Sequence, residues 1–570
     1  DLKNKYELQQ DGYGIYKYIT KGKGEEAEEV KIYLTNFNLI SATRIRFVDE
    51  DHEGVKLVLK SSTGEIIEKL GEAEVFDDTK TFKNFLGTLD LAFKGKVDEL
   101  TDLKTWINKY FALQAEDIYK GIKFSERNEE LMFITNDGAL SSKGINNAIR
   151  SDKRNDIEVL DIEPITKEEL KELKRHIFKF ASPDKAISII GSIINNLAVY
   201  QNEKAKQKLH HLLIVGESGS GKSTILEHVI APILNYPRKD IKSIGLITPF
   251  ALINDLSNGN YPMLFDEFKP SGLDKYKVAK LSETFRNLYD RATISRGDKT
   301  LRSRDFHLNR PIVLVGEESY PNQEKALIER SCIVYLSKRE RTEVHCRTMR
   351  WIIDNEILLN KLGRALIDVI LNLSVEDYMQ IRNSVISTIK GLSNRPLNTA
   401  VNTCCGIEIF NLLLKQHKLS LVTKYAEHIT DNIKNEVLGN EEDAHSTVEQ
   451  MLILYNEMIE DERAVNVNDV VKYKRNGIFI KTSEMINQIR EHVSKVGADI
   501  NPLGLKDFKK QASKSGYLEV ISNKVIRLGM KTVRYDTYNR ELLRKLKLYS
   551  IVPPEIVDTT DEGEDTIPFD

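Results

Sequence analysis

Cysteine is scarce in this chain of 570 residues, and long apolar runs are missing from it. Cys332, Cys346, Cys404 and Cys405 form no CxxC pair, which disfavours a disulfide framework and a cysteine-based zinc site. No run reaches the roughly 18 apolar residues that indicate a membrane-spanning helix, and no signal peptide is visible. We therefore expect a cytoplasmic protein without a membrane partner. The chain starts with Asp1 and not with Met, so a preceding domain is left open.

Net charge is also small, at −3, and glycine and proline number only 31 and 14. This composition excludes collagen-like and linker-dominated chains. The charge is unevenly distributed, because residues 555–570 carry seven acids and no bases, and leaving them out changes the balance from −3 to +4. We interpret this segment as an acidic tail. A nucleic-acid partner is therefore compatible with the near-neutral total.

Local patterns divide the chain into five regions. Short β-rich runs at 13–19, 30–35, 44–48, 55–59 and 65–70 precede a helical stretch at 79–121 and a strand at 131–134. The predicted regions are an α+β N-terminal domain (1–150), an α/β core with its preceding helices (151–345), a helical lid or linker (346–465), a small mixed domain (466–554) and the acidic tail (555–570).

A phosphate-binding loop follows the strand predicted at 210–215. The sequence GESGSGKS at 216–223 matches GxxxxGK[ST], and a helix-forming run follows it, as this motif requires. Backbone N–H groups of such a loop surround phosphates, Lys222 supplies positive charge to the β- and γ-phosphates, and Ser223 supplies a hydroxyl for Mg²⁺. The predicted nucleotide-binding residues of the loop are Gly216, Ser218, Gly219, Gly221, Lys222, Ser223 and Thr224.

Two acids end the next apolar strand, in the sequence YPMLFDE at 261–267. Carboxylates at the carboxyl end of a parallel strand face the ligand crevice. Asp266 is the predicted nucleotide and Mg²⁺ ligand, acting through water, and Glu267 is predicted to polarise the attacking water. An ordinary strand-to-loop edge is the alternative interpretation.

A third strand, predicted at 311–315, is followed by Glu317, Glu318 and Ser319. An ATPase core usually has a polar residue here that senses the γ-phosphate, and either one of these three fills that role or none does. Arg330, beside the strand at 332–336, is predicted as an arginine finger acting on a neighbouring subunit, with a surface salt bridge as the alternative. Arg395 and Arg364 are candidates for a second sensor, but the sequence favours a surface arginine at each position.

Over about 166–420 the sequence resembles the AAA+ ATPases. The residues that carry the resemblance are GESGSGKS at 216–223, MLFDE at 263–267, PIVLV at 311–315 and IER at 328–330. More narrowly, it resembles MCM-like replicative helicases and replication initiators of bacterial mobile elements, such as staphylococcal pathogenicity islands and cassette chromosomes. The resemblance implies a central AAA+ P-loop core with a parallel sheet, ATP and Mg²⁺ as cofactors, and catalytic roles for Lys222, Glu267 and Arg330.

The narrower resemblance depends on an insertion at 292–309 and on the small C-terminal segment. Two β-forming runs surround the turn at 297–300, which predicts a β-hairpin. Residues 269–304 contain ten bases and four acids, a local charge of +6. Such a hairpin could grip a single DNA strand by its backbone or be merely a solvated charged hairpin. The resemblance points to Lys299 at the tip, and we add Arg296 and Arg302 as DNA-binding candidates.

The segment 466–554 resembles a winged helix. Helices are predicted at 483–496 and 505–515, and a β-hairpin at 517–528 and 531–535. Lys510 on the second helix and Arg527 in the wing are the candidate contacts to duplex DNA. A protein-binding role is the alternative.

These patterns favour an ATP-dependent DNA helicase that acts in replication initiation of a mobile element as a ring, with a hexamer expected. The predicted partners are single-stranded and duplex DNA, further copies of the chain and a primase or other replication protein. One alternative is a protein-remodelling AAA+ ATPase, disfavoured because no obvious aromatic–glycine loop stands between the second and third core strands. The other is an origin-binding switch without unwinding, which the two acids and Arg330 disfavour.

Overall fold

A computed structural model of the chain describes residues 7–24, 27–112, 114–152, 157–297, 303–321, 324–438, 446–474, 477–496, 500, 502–519, 524–528 and 531–553. The chain forms two compact units, Asp1–Val437 and Leu438–Asp570. The architecture is mixed α/β, with a parallel sheet and many helices. The acidic segment 555–570 lies outside the described residues.

The first unit begins with twelve strands in three sheets, ordered β1-β2-β3, β12-β7-β4-β5-β6 and β11-β10-β9-β8. Successive side chains of a strand point to opposite faces of the sheet. Val55, Leu57 and Leu59 of β5 therefore share one face, and they are at most 7% exposed. That face packs on two helices, α1 (Thr79–Leu86) and α2 (Val97–Tyr110). The strands are β1 Gln9–Asp11, β2 Gly14–Lys21, β3 Glu28–Tyr33, β4 Asn38–Phe47, β5 His52–Lys60, β6 Ile66–Glu72, β7 Ala115–Tyr119, β8 Lys123–Arg127, β9 Glu130–Thr135, β10 Gly138–Ser141, β11 Gly144–Asn146 and β12 Ile149–Ser151.

A five-stranded parallel sheet forms the centre of the first unit, in the order β14-β15-β18-β13-β19. Its two central strands, β13 and β18, are almost wholly apolar and fully buried, as expected where helices cover both faces. A separate antiparallel pair, β16 with β17, is inserted before β18. The strands are β13 His211–Gly216, β14 Lys242–Ser243, β15 Met263–Phe268, β16 Thr293–Gly297, β17 Ser303–His307, β18 Ile312–Gly316 and β19 Ser331–Leu336.

Helices surround this sheet and continue beyond it. α6 runs into a π-helical turn, Leu226–Ile230, before α7; Pro232 in α7 lacks the N–H that regular helical bonding would need. The helices are α3 Lys167–His176, α4 Pro183–Asn196, α5 Val199–Lys204, α6 Lys222–Ile225, α7 Ala231–Ile233, α8 Pro249–Leu256, α9 Lys275–Tyr289, α10 Lys325–Ile328, α11 Glu343–Asp354, α12 Glu356–Leu371, α13 Val375–Ile386, α14 Asn394–Gln416 and α15 Tyr425–Ile433.

Among the described residues, α14 is long and apolar enough to cross a membrane by length and composition alone. However, 78% of its most apolar window is buried inside the protein, which is typical of a core helix. It crosses α4 at backbone contact, since a Cβ atom on Gly406 would lie 1.8 Å from the Gly191 carbonyl oxygen. Glycine at 406 therefore permits this close packing.

The second unit contains a four-stranded sheet in the order β20-β21-β23-β22. The predicted helices and the hairpin lie in it, whereas β20 and β21 were not anticipated from the sequence. The unit begins at Leu438, ahead of the boundary predicted at 466, because the helix Thr447–Glu460 contributes buried side chains to its core. Its strands are β20 Val471–Lys474, β21 Gly477–Ile480, β22 Lys524–Leu528 and β23 Lys531–Tyr538, and its helices are Thr447–Glu460, Val467–Val470, Thr482–Val496, Leu505–Lys514 and Arg540–Lys545.

Two adjacent buried histidines stand at the amino end of β13. The His210 Nε2 and the Ser192 Oγ are 2.9 Å apart, and the His211 Nε2 donates to the Phe285 carbonyl oxygen at 2.8 Å. Burial lowers the pKa of His210 to about 3, and the neighbouring His211 and Arg382 act in the same direction. Burial also lowers the pKa of His211 to about 4, against the opposing effect of the Phe285 carbonyl.

We therefore expect the first unit to lose stability as the pH falls below about 6.5. The unfolded histidines bind protons near their ordinary pKa of 6.5, whereas the folded ones do so only near pH 3 and 4. The full free energy of unfolding is present above pH 6.5. Below that pH, each histidine lowers the free energy of unfolding by up to about 1.4 kcal/mol per pH unit. Urea unfolding between pH 7 and 5 measures this slope, and His210→Asn should make it shallower; an unchanged slope would contradict the assignment.

Candidate nucleotide and nucleic-acid sites

The loop after β13 requires glycine at its predicted positions. Gly219 and Gly221 have φ values of +78° and +96°, in the left-handed region that glycine adopts without strain. A Cβ atom at Gly216 would lie 2.3 Å from the Leu336 carbonyl oxygen and 2.5 Å from the Ser220 Oγ. A side chain at 216 would therefore push β13 away from β19 and close the loop.

Lys222 begins α6 directly after this loop. It is 8% exposed, and its Nζ donates to the Glu217 carbonyl oxygen at 3.3 Å, so the ammonium group folds back onto the loop. Ser223 and Thr224 follow in the first helical turn and are half-buried, whereas Ser218 is exposed. The predicted lysine and hydroxyls thus lie on one continuous strand–loop–helix segment.

The acidic pair lies on a bulge at the end of β15. The pairing of β15 with β18 shifts register between Phe265 and Phe268, and Glu267 has a φ of +61°, which is strained for a residue with a side chain. The Glu267 N–H donates to the Asp266 Oδ1 at 2.7 Å. Bulges redirect side chains, and here Glu267 is exposed while Asp266 is half-buried.

Glu317 is the best placed of the three sensor candidates. It follows Gly316, where a Cβ atom would lie 1.9 Å from the Phe268 carbonyl oxygen of β15. The Lys269 Nζ donates to the Glu317 carboxylate at 3.0 Å. Lys269 holds the pKa of Glu317 below its ordinary value, and the Lys222 charge acts in the same direction. Glu317 therefore lies within electrostatic reach of the phosphate-loop lysine.

The two other sensor candidates have different surroundings. The Glu318 carboxylate accepts hydrogen bonds from the Ser271 N–H, at 2.9 Å, and the Ser271 hydroxyl, at 2.5 Å. Within the described part of the chain, the Ser319 Oγ is buried without a hydrogen-bond partner. Within the described residues, neither Glu318 nor Ser319 forms a hydrogen bond with the phosphate loop.

All these groups meet at one edge of the sheet. In the parallel register, Val215 pairs with Gly316 and Gly216 pairs with Leu336, so the carboxyl ends of β13, β18 and β19 are level. β15 lies beyond β18, about 10 Å from β13 at ordinary strand spacing. Ligands of parallel α/β sheets bind at this edge.

The residues present fit a nucleoside triphosphate and Mg²⁺. The glycine loop leaves a cradle that a Cβ atom would fill, and within the described residues the buried Ser220 Oγ has no hydrogen-bond partner. The Ser223 hydroxyl and the Asp266 carboxylate are oxygen donors, which Mg²⁺ prefers.

Arg330 lies at the opposite edge of the sheet from this site. It precedes β19, whose other end is about 16 Å away at ordinary strand rise. The Arg330 guanidinium is 8% exposed, its Nη1 donates to the Ala326 carbonyl oxygen at 2.7 Å, and it lies 5.2 Å from the Tyr289 ring centre. Desolvation lowers its pKa, and the neighbouring Arg395 adds to this effect. Arg330 therefore cannot reach the phosphate loop of its own chain.

The second-sensor candidates are both bound elsewhere. The Arg364 Nη1 donates to the Val159 carbonyl oxygen at 2.6 Å. The exposed Arg395 forms an ion pair with Glu329 at 3.0 Å.

The hairpin predicted in the insertion is confirmed by the antiparallel pairing of β16 with β17. Arg296 is exposed on β16 and pairs in register with Arg304 on β17. Lys299 and Arg302 lie outside the described residues. The hairpin thus presents arginines on its described strands.

An exposed aromatic residue beside this hairpin was missed in the sequence. Phe250, at the start of α8, is 49% exposed; its ring packs edge-to-face on Phe306 of β17 at 5.7 Å, and the Arg296 guanidinium lies 5.6 Å from it. Leu246, in the loop before α8, is 84% exposed. The segment between β14 and β15 therefore carries an apolar surface, and the sequence LITPF at 246–250 was its signal.

The basic candidates of the second unit are only partly described. Lys510 is exposed on the helix Leu505–Lys514. Arg527 pairs in register with Thr532 across β22 and β23, and its side chain lies outside what the structure describes. Lys509 is held by an ion pair with Asp536 at 3.0 Å.

No protein-family model matches the chain, and no curated protein matches it. Among solved structures, the chain is similar to the SCCmec type IV Cch active helicase, with a TM-score of 0.61 and 13% identity over 95% of this chain and 98% of that chain. The NrS-1 C-terminal region (TM-score 0.33, 10% identity, 87% and 96% coverage) and the JCV helicase (0.21, 14%, 42% and 73%) are more distant. The first similarity shows that this chain has the fold of a helicase.

Substitutions at this edge should separate nucleotide binding from hydrolysis. Lys222→Ala should abolish both, because it removes the charge inside the loop. Glu267→Gln should retain binding and lower the hydrolysis rate by about 10²-fold or more, because an amide is not a general base. Phosphate release and fluorescent-nucleotide binding measure the two steps. Glu283→Gln, an exposed α9 carboxylate, is the control, and a Glu267→Gln protein as active as this control would contradict the role of Glu267.

Proposed function

We propose that this chain is an ATP-dependent DNA helicase that acts in replication initiation of a mobile element. The observation that carries the proposal is the convergence of the glycine loop, the acidic pair and Glu317 at one edge of a parallel sheet. The chain around this site has the fold of an active helicase over almost its whole length. We assign the core to the AAA+ class on the motifs that it shares with that class.

Each group has a defined role in hydrolysis. The loop N–H groups and Lys222 bind the phosphates and neutralise their charge. Ser223 and, through water, Asp266 would hold Mg²⁺, which would supply charge neutralisation at the phosphates. Glu267 orients the attacking water and accepts its proton. Glu317, which lies within electrostatic reach of Lys222, senses the γ-phosphate.

The position of Arg330 supports the proposal of a ring. Because Arg330 lies about 16 Å from its own phosphate loop, it serves only the site of a neighbouring subunit. The buried guanidinium of Arg330 must leave the Tyr289 ring to reach that site. Arg395, by contrast, is already exposed and forms an ion pair with Glu329. We propose a hexamer in which each site is completed by the next chain.

Single-stranded DNA is the proposed substrate of the hairpin. The arginines of β16 and β17 bind phosphates without reading sequence. The exposed Phe250 ring offers a stacking platform for a base beside them. We propose the same role for Lys299 and Arg302, which lie outside the described residues, and duplex contacts for Lys510 and Arg527.

Replication initiation on a mobile element is proposed from the SCCmec neighbour and the matching sequence resemblance. A cytoplasmic location and a primase or other replication protein as partner belong to the same proposal.

The exposed Leu246 and Phe250 favour a second candidate, a protein-remodelling ATPase that grips unfolded polypeptide with an apolar loop. The +6 charge of residues 269–304 favours DNA instead. Stimulation of ATP hydrolysis by single-stranded DNA supports the helicase, and stimulation by an unfolded protein alone supports the remodelling enzyme.

Strand separation on forked DNA tests the proposal directly. The wild-type chain should separate a labelled fork with ATP and Mg²⁺, and not with ADP. The Glu267→Gln variant should bind the fork without separating its strands, because it does not hydrolyse ATP at the normal rate. The Glu283→Gln control should separate the strands normally. ATP hydrolysis without strand separation by the wild-type chain would contradict the helicase assignment.

Phe250→Ala should weaken binding of single-stranded DNA about tenfold, because base stacking on an aromatic ring contributes about 1–3 kcal/mol. Hydrolysis without DNA should remain as in the wild type. Fluorescence anisotropy with a labelled oligonucleotide measures the affinity, and Tyr276→Ala, which removes another exposed aromatic ring of the core, is the control. Equal affinities of the two variants would contradict the stacking role.

A further inference from the structure

Two basic side chains from outside the glycine motif lie against the phosphate loop. Both follow β19 in the short turn Lys338–Glu340 and the residue after it. A Cβ atom at Gly219 would lie 2.8 Å from the Lys338 Cε and 3.2 Å from its Nζ, and a Cβ atom at Gly221 would lie 3.7 Å from the Arg341 Nη2. The ammonium and the guanidinium thus lie beside the two glycines whose left-handed conformations shape the loop.

The basic turn is bound to the phosphate loop through Glu217. The Lys338 N–H donates to the Glu217 Oε1 at 2.7 Å, and this bond holds the pKa of Glu217 below its ordinary value. Because Glu217 belongs to the loop itself, the bond fixes the distance between the loop and the turn. The parallel pairing of Gly216 with Leu336 fixes the same distance from the other side.

The charges of the turn remain available to a ligand. Glu340, the acid between the two bases, is paired with the buried Lys185. Within the part of the chain that the structure describes, neither Lys338 nor Arg341 forms an ion pair, and both are exposed. Arg341 also lines a cleft with Ser220, Thr224 and His345, directly beside the loop.

We infer that Arg341, with Lys338, binds the α- and β-phosphates of the nucleotide held by the loop of the same chain. The loop N–H groups surround the α- and β-phosphates, whereas Lys222 reaches the β- and γ-phosphates. A guanidinium beside Gly221 therefore neutralises charge on the α- and β-phosphates, of which Lys222 reaches only the β-phosphate, and its planar fork suits two phosphate oxygens. This inference rests on the proposed nucleotide-binding function and adds two phosphate-binding residues to it.

The role predicts a particular nucleotide dependence. ATP and ADP share the α- and β-phosphates. Arg341→Ala should therefore weaken the binding of ATP and of ADP by the same factor, about tenfold, because charge-assisted hydrogen bonds are lost. Lys338→Ala should weaken both about threefold, because its flexible ammonium is a single point charge. Arg341→Lys should recover part of the loss, and AMP should be affected least.

Titration of the full chain with fluorescent ATP, ADP and AMP in the presence of Mg²⁺ tests the inference. Arg339→Ala is the matched control, because Arg339 is exposed in the same turn and no contact with the phosphate loop is described for it. Melting temperatures of all variants verify folding, and Arg341→Gln replaces Arg341→Ala if the latter does not fold.

The outcomes distinguish this inference from the function on which it rests. If the wild-type chain binds no nucleotide, the proposed function fails. If the wild type binds ATP and ADP, and the Arg341 variants bind both as tightly as Arg339→Ala, the inference is wrong and the proposed function stands. A loss confined to ATP would also overturn it, because that would place the charge at the γ-phosphate.

Discussion

Parallel hydrogen bonding of β13 to both of its neighbours is the constraint on which the nucleotide site depends. Because Gly216 pairs with Leu336 and Val215 with Gly316, three strands end level with one another. A register shift of one residue would displace one of these ends by about 3.3 Å, beyond the range of a hydrogen bond. The loop, Glu317 and the turn at Lys338 meet only because this register holds.

Close backbone contacts without side chains maintain that register. Gly216 approaches the Leu336 carbonyl and Gly316 approaches the Phe268 carbonyl more closely than any Cβ atom would permit. The second contact also supports the bulge on which Glu267 is strained. Backbone strain at a functional residue persists only where the surrounding packing holds it, and here that packing is backbone against backbone.

Two arginines with different proposed roles lie at the two ends of β19. Arg330 precedes the strand and lies far from its own site, while Arg341 follows the strand and lies beside the glycine loop. One strand thus separates a residue proposed to act on a neighbouring chain from one proposed to act within its own. The distance along a strand is set by its rise per residue, so neither arginine can exchange roles with the other.

The sequence by itself determined the elements whose chemistry is contiguous. The glycine loop with Lys222, the acids after the apolar strand and the β-hairpin were predictable because each is encoded by neighbouring residues with local periodicity. Tertiary structure alone decided that Glu317 lies within electrostatic reach of Lys222, that Phe250 lies beside Arg296, and that Arg341 lies beside Gly221. These contacts join segments far apart in the chain, and no local pattern specifies them, since they arise from the strand order and register of the folded sheet.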